Sequence, residues 1–265
     1  MLTNVLLLME DTEEAANLRS IVIGKKAPRT RKMSAIDLTK ISNVRKGNLH
    51  QKHRLIVLRA LNSVDYLLIH KPSNEDLTPM LATIVNCFVR LGKSVLLTAQ
   101  SNSPLETVLL ELTKSLNENQ LLRLGGSSRS IPSDSEVAHL SLSSKIAKFA
   151  ELPQMENYNK TREMLMNTPV VASTCLGTSS HSLFSARRFD ICLVMDASAI
   201  LQPVVIRPIL QADAFILVGN LEGQPCVHDE LSSAHGMAIS LMERMKNQSN
   251  ALVNFNDFPK LTVCV

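Results

Sequence analysis

The chain has 265 residues, of which 45% are apolar, and carries a formal net charge of +4. This size and composition allow a full hydrophobic core and suit one large domain, or one domain with an extension. With no tryptophan and only two tyrosines, stacking of bases on aromatic rings is disfavoured as a main mode of binding nucleic acid.

The cysteines and the amino terminus indicate an intracellular protein. The five cysteines are scattered without a C-x-x-C pair, which predicts reduced, buried thiols and no metal site; they are Cys87, Cys175, Cys192, Cys226 and Cys264. The apolar run Met1–Met9 is short, lacks basic residues and is followed by acids, so it is not a convincing signal peptide. No apolar run approaches the ~20 residues that span a bilayer, and we expect a soluble protein without membrane contact.

Residues 1–48 are predicted to form an amino-terminal helix and a basic linker. Apolar positions between Asn4 and Ile23 suit a helix capped near Asp11 or Thr12. The span Gly24–Gly47 follows and reads as an exposed connector, partly disordered. Ten of the 28 Lys and Arg lie between Gly24 and Arg54, against one acid. The residues that could contact phosphate groups of DNA are Lys25, Lys26, Arg29, Arg31 and Lys32; the alternative is a solvated charged linker.

Residues 49–265 are predicted to form a single α/β domain in which strands and helices alternate. After a helix over 49–62, the expected strands are 66–70, 94–98, 121–124, 170–174, 191–195, 215–218 and 261–265. The expected helices are 77–91, 104–116, 135–149, 157–166, 204–211 and 231–246. Most strand candidates are continuous apolar runs, typical of strands covered on both faces. The pattern therefore predicts a mainly parallel sheet with helices on both faces.

The segment from Asp65 to Thr78 has the layout of a phosphate-binding loop. It is predicted to run from a buried strand through a turn-rich loop into an apolar helix. In nucleotide-binding α/β proteins the phosphates dock at this position, where backbone N–H groups and a lysine meet the anion. This segment contains no glycine, and Leu77 stands where the phosphate-loop pattern requires lysine.

Four further stretches occur in order: Ser94–Thr98, Val170–Gly177, Phe184–Ser198 with Gln202 and Pro203, and Phe215–Gly219 with Pro225. As a set they resemble the first RecA-like motor domain of a superfamily-1 helicase, and are most similar to the eukaryotic DNA replication ATP-dependent helicase/nucleases. The resemblance covers roughly Leu49–Val265 and implies a RecA-like P-loop NTPase fold. It also implies a truncated motor, because the chain ends about where the family continues into a second motor domain.

By this resemblance, the groups that hold a magnesium nucleotide are mostly replaced. In the phosphate loop, glycine positions fall on Lys71, Asn74 and Asp76, and the lysine position falls on Leu77. The vestigial loop thus comprises Lys71, Ser73, Asn74, Asp76, Leu77 and Thr78, and only the Thr78 hydroxyl remains as a Mg²⁺ ligand. In the acidic strand-end motif, Met195 replaces the Mg²⁺-binding aspartate and Asp196 replaces the glutamate.

The remaining motifs of the family show similar losses. The adenine-side glutamine motif falls on His53 and Leu55. The phosphate-sensing motif becomes Gly219, Asn220 and Gly223, without its glutamine. The loops that touch single-stranded DNA in the family correspond to Ser101 and Asn102 and to Ser173 and Thr174; the alternative for these hydroxyl and amide groups is ordinary capping and turn formation.

Together these observations predict a degenerate helicase-like domain without catalytic residues, without ATPase or helicase activity, and without a required cofactor. Its expected partners are single-stranded DNA, another nucleic acid or a protein, and the resemblance implies a nuclear location. The first alternative is a residual ATP-binding DNA helicase subunit, with ATP and Mg²⁺ as cofactors. The second is a truncated duplicate that does not fold stably.

Overall fold

The computed structural model describes residues 2–42, 49–72, 75–125, 135–147, 154–180, 184 and 187–254. Within them, seven strands form one sheet in the order β3-β4-β2-β5-β6-β1-β7. The strands are β1 Tyr66–His70, β2 Val95–Ala99, β3 Leu121–Arg123, β4 Val170–Thr174, β5 Phe189–Val194, β6 Ala212–Gly219 and β7 Leu252–Val253. Every neighbouring pair is parallel, which confirms the predicted sheet.

Helices cover both faces of this sheet, as predicted. They are α1 Leu2–Leu8, α2 Glu13–Val22, α3 Ala35–Lys40, α4 Gln51–Asn62, α5 Thr78–Arg90, α6 Asn102–Thr113, α7 Leu142–Ile146, α8 Gln154–Asn167, α9 Cys175–Ser180, α10 Gln202–Leu210, α11 Glu230–Ala234 and α12 Leu241–Met245. Alternate residues of β1 enter different cores: Leu67 and Ile69 pack with α4, α5 and α6, whereas Tyr66 and Leu68 pack with α2, α10 and α12. This alternation follows from the two-residue period of a strand.

The amino-terminal helix is divided in two. The chain turns at Met9–Thr12, and the Thr12 hydroxyl accepts a hydrogen bond from the Ala15 backbone N–H (3.2 Å), which caps α2 as predicted. Leu8, Leu18 and Ile21 are buried in the same core as the sheet residues. The first two helices therefore contribute directly to the sheet's hydrophobic core.

Most side chains of residues 24–42 are exposed, as predicted for a connector, but the segment forms specific contacts with the domain and contains helix α3. The guanidinium of Arg29 donates to both carboxylate oxygens of Asp65, with Nη2–Oδ1 at 2.6 Å and Nε–Oδ2 at 2.9 Å. Thr30 forms an antiparallel bridge with Ser63, and the Tyr66 hydroxyl donates to the backbone oxygen of Lys26. Side chains of this segment still reach solvent, but its backbone lies against the start of β1.

Two predicted helices are shorter than expected. The span 231–246 contains α11 and α12, separated by a turn in which Gly236 takes a φ of +88° that interrupts a helix. In the span 135–149, a 3₁₀ turn at Ala138–Leu140 precedes the five-residue α7. The predicted strand 261–265 lies outside the described residues, while the two-residue β7 was not predicted.

No helix within the described ranges is both long and apolar enough to cross a membrane.

Candidate functional site

The segment after β1 lies at the carboxyl edge of the sheet, and three of its backbone N–H groups donate hydrogen bonds within the protein. The Lys71 N–H donates to the Gly219 carbonyl (2.8 Å), and the Glu75 N–H donates to the Pro72 carbonyl (3.3 Å). The Asp76 carboxylate accepts from the Thr78 N–H (2.9 Å) at the start of α5. Three amides that could face an anion are therefore already engaged. Ser73 and Asn74 lie outside the described residues.

The Thr78 hydroxyl is also engaged by Asp76. Hydrogen bonds from the Thr78 hydroxyl and backbone N–H lower the pKa of the Asp76 carboxyl. The one hydroxyl that the resemblance leaves for Mg²⁺ thus helps to stabilise a carboxylate two residues earlier. Asp76 precedes the N-cap residue Leu77, so this is an Asx-turn contact with the amide two residues later.

Leu77 lies in the hydrophobic core. It is 2% exposed and belongs to the cluster formed by α4, α5, α6 and one face of the sheet. A phosphate-loop lysine at this position meets the β- and γ-phosphates. Here the side chain stabilises the contact between the loop and the helices.

The end of β5 lies beside this loop. Met195 is 3% exposed, and its N–H donates to the Thr98 carbonyl (2.8 Å). Asp196 adopts the left-handed conformation, with φ 51° and ψ 35°, and begins the 3₁₀ turn Ala197–Ala199. Aspartate tolerates this region better than most residues, but it is uncommon outside glycine.

The structure brings Lys71, Asp76, Leu77, Thr78, Met195 and Asp196 around one cavity of about 200 Å³. Its other lining residues include Leu81, Pro104, Val108 and Val218. Drug-sized ligand sites typically enclose about 300–1,000 Å³. The lining is half apolar and half polar, with Ser103 and Thr107 among the polar residues, and it carries two aspartates against a single lysine.

His53 and Glu75 link helix α4 to the loop. His53 Nε2 lies 3.8 Å from the Glu75 carboxylate, and His53 is largely covered by its neighbours. Burial lowers the pKa of His53, and the nearby Glu75 carboxylate only partly opposes this effect. Sequence reasoning missed this contact, because nothing local relates a helix residue to a loop residue 22 positions later.

Gly219, Asn220 and Gly223, predicted as the remnant of the phosphate-sensing motif, make local contacts around the end of β6. A Cβ on Gly219 would lie 2.8 Å from the Ser198 backbone N, so only glycine fits there without movement. The Gly223 N–H donates to the Asn220 carbonyl (2.9 Å), and the Asn220 side chain accepts from the Glu222 N–H (3.0 Å). These residues form the turn after β6 and do not line the cavity.

The candidate DNA-contacting loops at the carboxyl edge differ in accessibility. Ser101 is exposed and Asn102 half-buried at the start of α6. Ser173 is fully buried against Gly177, which corrects the expectation that its hydroxyl reaches a nucleic acid. Thr174 Oγ1 accepts from the Gly177 N–H (3.1 Å), in the capping role weighed as the alternative.

The basic segment, Lys25–Lys32, lies at the opposite edge of the sheet. Its contacts with Ser63, Asp65 and Tyr66 place it at the amino end of β1. Lys26 and Arg29 border a cavity of about 450 Å³ with Ala212 and Asp213, at the amino end of β6. The candidate DNA contacts therefore form two separate groups, one at each edge.

The other titratable groups in the part of the chain that the structure describes do not converge on a second site. Asp190 lies at the amino end of β5, where it pairs with Lys93 (2.5 Å), whereas Asp196 follows the carboxyl end. Burial favours the neutral form of Asp190, but hydrogen bonds from Lys93 and Ser94 outweigh it and lower the pKa. Within the described ranges, no three His, Cys, Asp or Glu side chains form a metal-binding group.

Comparison with known proteins identifies close counterparts of this sequence. A family model described as an AAA domain matches residues 133–222. The chain is 31% identical over 95% of its length to the DNA replication ATP-dependent helicase/nuclease of Xenopus laevis, and 32% identical over 95% to that of Mus musculus. It spans only about a quarter of these relatives, 24% and 23% of their lengths.

A plant protein described in the same words, from Arabidopsis thaliana, is 31% identical over 75% of this chain, which covers 14% of its length. The structure also overlaps the crystal structure of the UvsW helicase from bacteriophage T4, with a TM-score of 0.49 and 11% identity, over 85% of this chain and 69% of that one. The strand order defines the fold independently of this structural similarity. The resemblance given by the sequence motifs is confirmed by the sequence relatives.

Proposed function

We propose a function for this chain from the premise that it is related, over 95% of its length, to a segment of the DNA replication ATP-dependent helicase/nucleases. The proposal is a helicase-like domain that neither holds nor hydrolyses ATP and that binds nucleic acid. It is a pseudoenzyme: the folded domain binds nucleic acid, and the residues at the carboxyl ends of its strands do not catalyse a reaction. Because the relatives are about four times longer, their activities are not transferred to this chain.

The burial of Leu77 is the observation that carries the proposal. Phosphoryl transfer depends on positive charge placed on the β- and γ-phosphates. At 2% exposure, the Leu77 side chain supplies packing instead of charge. The neighbouring Lys71 lies at the end of β1, six residues earlier, and is the only cation among the residues that border the cavity.

The electrostatics of the cavity also oppose a triphosphate. Asp76 and Asp196 both border it, and the pKa of Asp76 is lowered, so that Asp76 is charged at neutral pH. A unit negative charge placed ~4 Å from either carboxylate would cost about 4 kcal/mol at an effective dielectric constant near 20. Lys71 offsets only part of the repulsion from one of these two carboxylates. The residues therefore do not fit a magnesium nucleotide.

The backbone supports the same conclusion. A phosphate cradle needs several N–H groups free to converge on the anion, and glycines allow that close approach. The N–H groups of Lys71, Glu75 and Thr78 already donate to oxygen atoms within the protein. Binding phosphate would require breaking these hydrogen bonds.

Thermal melting with Mg-ATP tests the absence of nucleotide binding. A ligand at 100 times its dissociation constant stabilises a protein by ~2.7 kcal/mol, which is about 5–11 °C for a domain of this size. We expect no shift at millimolar Mg-ATP beyond that produced by Mg²⁺ with inorganic phosphate. A saturable shift specific for ATP would contradict the proposal and favour the residual ATP-binding helicase subunit.

Nucleic-acid binding and a nuclear location form the second part of the proposal. Both are supported by the names of the relatives, which are helicase/nucleases of DNA replication. Fluorescence anisotropy of a labelled 20-nucleotide oligo-dT, without nucleotide cofactor, tests the binding. Binding in the micromolar range or tighter at low salt is expected, and its absence would leave a protein partner as the remaining role.

A further inference from the structure

Three strand ends at the carboxyl edge and the basic segment at the amino edge differ in the charges that they present. At the carboxyl edge, the described residues after β1, β5 and β6 include acids that outnumber one lysine: Lys71, Glu75, Asp76, Asp196 and Glu222. At the amino edge, the basic segment adds exposed cations beside the starts of β1 and β6. A polyanion would therefore meet more acids than cations at these three strand ends, and exposed cations along the basic segment.

Three acids at the starts of the strands are already paired, whereas Glu13 and Glu14 of α2 border the same cavity as Lys26, with Glu14 3.8 Å from Arg188. Asp65 is held by Arg29, with Nη2–Oδ1 at 2.6 Å, and Asp190 by Lys93 at 2.5 Å. Asp213 is held by Arg188 at 3.0 Å. Each pairing uses a cation that does not belong to the set Lys25, Lys26, Arg31 and Lys32.

That set remains available to a ligand. All four side chains are exposed, and none of them takes part in an ion pair with a described residue. Their backbone is fixed, because the Arg31 N–H donates to the Asn62 carbonyl (2.8 Å) and the Lys26 carbonyl accepts from the Tyr66 hydroxyl (2.8 Å). Charges on an anchored backbone lose less conformational entropy on binding than charges on a free tail.

We propose that the amino edge of the sheet, through Lys25, Lys26, Arg31 and Lys32, binds the phosphate backbone of nucleic acid without sequence preference. This inference rests on the nucleic-acid binding proposed above and specifies the surface that performs it. The strand-end loops do not share the surface, because strands of five to eight residues separate the two edges by roughly 17–27 Å. At those loops, Ser173 is buried and the Thr174 hydroxyl is engaged.

The test compares three variants of the whole chain by anisotropy with labelled oligo-dT, at salt concentrations from 50 to 200 mM. The first carries Lys25→Gln, Lys26→Gln and Lys32→Gln. The second is a control with the same change in net charge away from this edge: Lys52→Gln, Arg162→Gln and Arg244→Gln. The third, Ser101→Ala with Asn102→Ala, removes the accessible strand-end groups. Thermal melting verifies that each variant folds.

Counterion release gives the expected size of the effect. Each phosphate contact on a single strand contributes about 0.7 to the slope of log affinity against log salt. We expect the amino-edge variant to lose about 2 from that slope and to bind on the order of 100-fold more weakly at 50 mM salt. The control and strand-end variants should match the unmodified chain, and an unlabelled duplex should compete because it presents the same phosphates.

Three results would overturn the inference. The amino-edge variant could keep the original slope, the control variant could lose as much affinity, or the strand-end variant could abolish binding. A failure of the unmodified chain to bind would remove both this inference and the nucleic-acid part of the proposed function. None of these results depends on the Mg-ATP measurement, so the proposed lack of nucleotide binding is tested separately.

Discussion

The stability of a Leu77→Ala variant tests whether the Leu77 side chain packs in the hydrophobic core or faces an open ligand site. Leu77 is 2% exposed within the core formed by α4, α5, α6 and the sheet, so Leu77→Ala removes buried methyl groups. Substitutions of this kind cost about 2–5 kcal/mol, with the cost rising with the size of the cavity that is left. The cavity of about 200 Å³ already borders Leu77 and can admit water. We therefore expect the lower half of that range, about 2–3 kcal/mol.

Urea unfolding measures this change as a lower midpoint at an unchanged m-value. The control is Leu231→Ala on α11, where the same side chain is 69% exposed and truncation should cost less than about 0.5 kcal/mol. A Leu77→Ala cost as small as that of the control would refute the reasoning, because it would mean that the side chain faces solvent where a phosphate could bind.

Three further predictions concern other parts of the described structure. Gly219→Ala places a Cβ 2.8 Å from the Ser198 backbone N, and we expect it to lower the free energy of unfolding in urea by about 1–3 kcal/mol. Gly223→Ala is the control: its nearest contact would be 3.2 Å, so it should lower the free energy of unfolding by less. Equal losses for the two variants would contradict this geometry. Hydrogen bonds from Arg29 lower the pKa of Asp65, so the ionised carboxylate stabilises the fold fully above its unfolded pKa of about 3.9, and this stabilisation is lost as pH falls through the lower folded value. Asp65→Asn should therefore reduce the fall in melting temperature between pH 5 and 2. The same fall in the variant and the unmodified chain would count against the Arg29–Asp65 pair. Burial raises the pKa of Cys87 to about 12 and that of Cys175 to about 11, and Cys192 is buried too, whereas Cys226 is exposed. With Cys264 replaced by serine, a thiol reagent should label only Cys226 in the native protein and all four remaining cysteines after denaturation. Labelling of more than one thiol in the native protein would show that the core is open.

Most strands of the sheet could be predicted because they lie in largely apolar runs. The predicted bounds of β1 and β4 match the structure, and β2 and β5 differ by one or two residues at their ends. β7 could not be predicted, because two residues give no periodic signal. The break between α11 and α12 was missed because apolar spacing continues across Gly236, and only its positive φ ends the helix.

Long-range pairing explains what the sequence could not predict at the candidate sites. Charge density alone predicted that residues 25–32 would be exposed, which their side chains are. It could not predict the position of the segment, which is set by the pairing of Arg29 with Asp65, 36 residues away. The prediction therefore identified the charged residues and left open which edge of the sheet presents them.

The residues after β1 and β5 form contacts that stabilise the fold without a ligand. A phosphate loop keeps amides unpaired and a lysine near the surface, and such arrangements reduce the stability of the unliganded protein. Here Leu77 and Met195 are buried, and the Asp76 carboxylate accepts a hydrogen bond from the Thr78 N–H. Each of these contacts stabilises the protein without a ligand, so the packing of the parallel sheet does not depend on a bound nucleotide. A domain of this kind can still present a charged surface elsewhere, because the amino edge of the sheet is built by contacts that do not involve the loop.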